Sequence, residues 1–83
     1  MRRAVIKLLE KNGWKRNGNL FNRVVNGRIE QINLSQNRLI MTMLMGNLPV
    51  DIVKTNYDKL AIESGFLVAK IDGKTKYICK LVS

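Results

Sequence analysis

Asn26 and Gly27 stand between two runs rich in branched apolar residues, Leu20 to Val25 and Arg28 to Leu34. Asn-Gly tolerates the positive φ angles of a two-residue turn whose twist matches that of paired strands, so it predicts a β-hairpin and with it an antiparallel sheet. In that register Arg23 faces Glu30 and Phe21 faces Ile32, an ion pair and an aromatic-aliphatic pair across the strands. A three-residue loop with Gly27 bulged would shift these partners; the two-residue register is preferred.

The chain on either side adds elements to this hairpin. Val5, Leu8 and Leu9 repeat at helical spacing, with Arg3, Lys7, Glu10 and Lys11 opposite, and Gly13 suits the left-handed position after a helix end. A helix is therefore expected from about residue 3 to 12. Beyond a turn at Ser35 to Asn37, residues 38 to 45 form a strand in which Leu39, Met41, Met43 and Met45 alternate with Ile40, Thr42 and Leu44. Both sets are largely apolar, which predicts either a central strand covered on both faces or one with a face left for a partner. The methionine row is expected to be core packed beneath a helix, because methionine fills irregular gaps.

Pro49 and Asp51 suit a helix start, and Val53, Tyr57, Leu60, Ala61 and Ser64 follow helical spacing up to Gly65. A competing reading leaves residues 49 to 54 extended and caps the helix with Thr55 and Asp58. Both readings place a second helix over 57 to 64. Asp72-Gly73 marks another hairpin. A three-residue loop there would sort Leu67, Ala69, Thr75, Tyr77, Cys79 and Leu81 onto one face and Lys70, Lys74, Lys76 and Lys80 onto the other. The expected fold is α+β, a small single domain over residues 1 to 83 with an antiparallel sheet and two helices in the order α-β-β-β-α-β-β.

Eighty-three residues with 46% hydrophobic content suffice for one modest core. The longest uncharged apolar run, residues 39 to 48, is far short of the roughly 18 residues of a membrane span, so no membrane partner is expected. Lys7 and Glu10 interrupt the apolar stretch at the N-terminus, and no small-residue cleavage site follows, so a signal peptide is not expected. Cys79 cannot form an internal disulfide, the chain has no histidine, and a cytoplasmic location follows as the expectation. Nine asparagines together with frequent lysine and isoleucine fit an AT-rich genome, such as that of a low-GC bacterium or its phage.

No histidine, no phosphate-binding glycine loop and no carboxylate pair at metal-binding spacing is present, so neither catalytic residues nor a metal or other cofactor is expected, and the chain reads as a non-enzyme. Leu8 to Trp14, "LLEKNGW", resembles locally the start of the HicA family of messenger-RNA-cleaving toxins. The resemblance implies a helix leading into a sheet and a basic RNA-binding surface. It covers residues 8 to 14, and Arg16-Asn17-Gly18-Asn19 stands where those toxins carry the Gly-Ser-His used for cleavage, so no family membership is drawn from it.

Charge is the strongest global feature: fifteen Lys and Arg against six Asp and Glu give +9. Residues 1 to 38 hold nine of the bases and two of the acids, a balance of +7. Such a field attracts polyanions, and DNA or RNA is the expected partner. Arg2, Arg3, Lys11, Lys15, Arg16, Arg23, Arg28 and Lys76 are the candidate phosphate contacts. Trp14, lying among Lys11, Lys15 and Arg16, is either a base-stacking platform or a cap on the core. The expected function is a small basic nucleic-acid-binding protein of modest sequence specificity. The alternative is a protein-interaction module, such as a phage-type inhibitor or regulatory partner, binding an acidic or apolar protein surface. A homodimer through the methionine row is a further possibility.

Overall fold

Two-residue turns carry most of the chain reversals in the computed structural model, which describes residues 1 to 81. Helix α1 (Arg2–Lys11) is followed by β1 (Lys15–Asn17), β2 (Leu20–Val25), β3 (Arg28–Leu34), β4 (Arg38–Met45) and β5 (Leu48–Asn56), a five-stranded antiparallel meander in sequence order. A single 3-10 turn at Tyr57–Lys59 leads to β6 (Leu60–Glu63), β7 (Phe66–Ile71) and β8 (Lys74–Lys80), a three-stranded antiparallel meander. The class is a small compact α+β fold.

The Asn26-Gly27 hairpin has the two-residue register, with Arg23 opposite Glu30 and Phe21 opposite Ile32. Both turn residues have positive φ, 51° and 77°, as a type I′ turn requires. The second helix is not there. Residues 49 to 56 are strand and residues 60 to 63 are strand, so the order is one helix followed by eight strands. The helical spacing from Val53 to Tyr57 coexists with a period of two, and it is Val53, Thr55 and Tyr57 that are buried. Ser64-Gly65, whose glycine suits a helix end, is instead a hairpin turn with φ of 53° and 80°, joining Glu63 to its partner Phe66.

The last hairpin also differs from expectation. Asp72-Gly73 makes a two-residue turn, so Lys74 pairs with Ile71, Thr75 with Lys70 and Lys76 with Ala69. Directly paired residues share a face, which puts Lys74 and Lys76 on one side of the sheet and Lys70 on the other. The single lysine face dissolves. A bulge then shifts the register at Leu67/Val68, and the consecutive residues Ile78 and Cys79 are both buried as a result.

The core lies between the inner face of the large sheet, the small sheet and α1. Leu9 of α1, Phe21, Ile32, Leu34, Leu39 and Met41 of the large sheet, and Leu67, Ala69 and Ile78 of the small one, belong to one cluster. The methionine row is graded along β4: Met41 is 1% exposed, Met43 is half-buried against the core, and Met45 is 55% exposed. Neighbouring strands explain the gradient. Met41 lies between Ile32 and Val53, whereas Met45 stands at the β4–β5 turn opposite Leu48. On the outer face Ile40, Thr42 and Leu44 are half-buried, with no helix over them. Of the two arrangements a doubly apolar strand allows, β4 has the one with an open face.

Candidate functional site

Arg2 and Arg16 converge on the tight turn between β1 and β2. Arg16 Nε donates to the carbonyl of Gly18 at 2.8 Å, and a terminal guanidinium nitrogen of Arg2 donates to Asn19 Oδ1 at 2.6 Å. Arg2 Nε also donates to the Leu34 carbonyl at 3.3 Å, which ties the start of α1 to the end of β3. Arg16 lies over the Phe21 ring, 5.6 Å from its centroid. Each guanidinium has five N–H groups, and these contacts use only a few of them. The remaining Arg16 donors stay near solvent on a flank where Lys15 and Arg16 are exposed, whereas Arg2 is half-buried and also contacts Tyr57.

The outer face of α1, turned away from Arg2, is also basic. Val5, Ile6 and Leu9 turn inward, leaving Arg3, Lys7 and Lys11 exposed. Four residues of helix rise about 6 Å, so these three cations form a row at about 6 Å intervals. Lys7 was not among the candidate contacts, although its position midway between Arg3 and Lys11 is legible from the i, i+4 spacing. Glu10 is the acidic residue on that helix.

Four candidates lie elsewhere. Trp14 is 4% exposed, its Nε1 is buried with no hydrogen-bond acceptor, and the Arg23 guanidinium covers the ring at 4.6 Å from its centroid. Its ring is therefore core and presents no face for stacking. Arg23 also donates through two nitrogens to Glu30 Oε1, at 2.8 and 3.1 Å, with both side chains about nine-tenths buried. That pair gives Glu30 a partner inside the fold and holds Arg23 out of the solvent-facing set. Arg28 is half-buried and points a nitrogen at Met43 Sδ, 3.6 Å away. Lys76 is exposed on β8, away from the α1 flank, and lines a groove beside β5.

Cys79 lies close to the Arg23–Glu30 pair. Burial pushes its thiol up to about 12, an effect that Arg23 partly offsets and Glu30 reinforces. A thiol so far from ionising is no nucleophile at neutral pH. Burial likewise raises Tyr57, partly offset by Arg2, and the Tyr57 hydroxyl donates to the carbonyl of Ser35. Among the described residues no group of three His, Cys, Asp or Glu could hold a metal ion, and no helix is long and apolar enough to cross a membrane.

Fold and charge define a class: a small, strongly basic α+β protein with one helix and two antiparallel meanders. Comparison with protein-family models, with curated proteins and with solved structures finds no match.

Proposed function

We propose that this protein is a small, basic, non-enzymatic nucleic-acid-binding protein that contacts phosphates through lysine and arginine with modest sequence specificity. The supporting observation is the gathering of cations from two separate elements onto one flank. Arg2 of α1 and Arg16 of β1 meet at the β1–β2 turn, Lys15 is exposed beside Arg16, and Arg3, Lys7 and Lys11 are exposed along the outer face of α1. Guanidinium and ammonium groups so placed neutralise phosphates and release counterions, an interaction that reads backbone and carries little base information. With Trp14 inside the core, no stacking platform adds specificity on this flank.

Binding to single-stranded and duplex oligonucleotides, followed by anisotropy between about 50 and 200 mM salt, tests the reading. Affinity should fall by orders of magnitude over that range, with a slope of about 0.9 per phosphate contact on duplex DNA and about 0.7 on single strands. The double change Lys15→Glu plus Arg16→Glu should weaken binding and flatten the slope by about 1 per lost contact. The same reversal at Lys74 and Lys80 on β8 should do much less. Equal losses from the two double variants would show a response to net charge alone and defeat the assignment to this flank.

One observation favours the second reading, a protein-interaction module. The open side of the large sheet carries Val24, Val50 and Ile52, each more than half exposed, and such a patch marks an interaction surface on many proteins. Association that persists undiminished at high salt would favour that reading over phosphate contact.

A further inference from the structure

Strands β5 and β8 are edges of different sheets, and they face one another across an open groove. Asp51 to Lys54 of β5 line one wall and Thr75 to Tyr77 of β8 the other, with Ile71 at the base, around a cavity of about 420 Å³. It continues past Lys54 into a hollow of about 200 Å³ bounded by Arg38, Asn56 and Lys59. Among the described residues β5 pairs only with β4, and β8 only with β7, so each presents a free edge to the groove. Pro49 lacks an N–H and the β4–β5 register shifts beside it. The regular part of the β5 edge therefore runs from Asp51 to Asn56.

Four cations, Arg38, Lys54, Lys59 and Lys76, border this groove against one acid, Asp51. Cations on facing walls repel one another until an anion lies between them. A free strand edge offers N–H and C=O groups to another extended chain. We propose that the groove docks an acidic, extended segment of a partner protein, which adds to β5 as a further strand. Its carboxylates lie on the face of β5 that carries Lys54, with Arg38 on the same face of β4, and its alternate apolar side chains lie on the opposite face beside Val53 and Ile71, which also line the groove. A second copy of this chain fits poorly, since it brings a net +9 to a basic groove. The other free edges are less suited. β1 has three residues, and β6 has four and ends in Glu63. A nucleic acid would satisfy the cations and leave both backbone edges unpaired.

The probe is a peptide of alternating glutamate and valine about eight residues long, enough to match the regular edge of β5 at about 3.3 Å per residue. Its partner is the same peptide with alternate backbone nitrogens methylated, which keeps every charge and removes donors needed for strand pairing. The expected result is binding of the first peptide with amide shifts at residues 51 to 56 and 74 to 77, and binding weakened about tenfold or more by methylation. Lys54→Glu plus Lys76→Glu should weaken the peptide similarly and leave oligonucleotide binding in place, whereas Lys15→Glu plus Arg16→Glu should do the reverse. Equal binding of the methylated peptide, or shifts confined to another edge, would overturn strand addition. So would an oligonucleotide that shifts the groove amides while the peptide does not. Because the two double variants report on separate surfaces, loss of this proposal leaves the phosphate-binding reading standing, and the converse holds.

Discussion

Arg23 illustrates how one side chain is committed by its neighbours. The sequence places it opposite Glu30, and the fold then seals the pair beneath Trp14 and beside Cys79. Removing one partner leaves a buried charge unpaired, so Arg23→Ala should cost about 3 to 5 kcal/mol, whereas Arg23→Met with Glu30→Leu should be near neutral. Urea unfolding of the single and double variants checks this. Cys79 gives the pH counterpart. Its folded value of about 12 lies above the ordinary 9.0 that governs the unfolded chain. Below pH 9 the thiol is protonated in both states and its contribution is fully present. Above it the unfolded state loses a proton that the folded state keeps, so stability falls by about 1.4 kcal/mol per pH unit up to about 12. Cys79→Ala should therefore lose less stability than the parent between about pH 8 and pH 10, measured by urea midpoints, with lysine titration common to both proteins.

Strand β4 shows what an element adds. Its alternation is plain in the sequence, but alternation alone does not say how far the cover extends. Met41 is enclosed by both neighbouring strands, Met43 borders the core, and Met45 stands at a turn. Met41→Ala should cost about 2 to 5 kcal/mol, Met43→Ala less, and Met45→Ala within about 0.5 kcal/mol of zero. Thermal melts of the three variants check the gradient, and equal losses at all three would contradict it. The missing second helix belongs to this scale too. Val50, Ile52, Val53 and Thr55 are β-branched residues that fit a pleated strand better than a helix, and the helical spacing of Val53, Tyr57 and Leu60 concealed that preference.

Across the whole molecule, net charge opposes compaction. Among the described residues the ion pairs are Arg23–Glu30 and Lys70–Glu63, so most of the fifteen cations face one another through solvent. Raising salt from about 20 to 150 mM should screen that repulsion and raise the melting temperature, and calorimetry would register a fall as a contradiction. The sequence by itself determined the first hairpin and its register, helix α1, and the excess of positive charge in the first half, because turn chemistry, helical periodicity and charge are local or additive. It placed Arg2, Arg3, Lys11, Lys15 and Arg16 as candidates without showing that the β1–β2 turn gathers Arg2 and Arg16. Only the tertiary structure decided that Trp14 and Arg23 belong to the interior, that Lys70 and Lys76 lie on opposite faces, and that the edges of β5 and β8 face one another across a basic groove. The physical reason is that burial and edge placement depend on which sheet covers which face, a long-range packing choice that no local run of residues encodes.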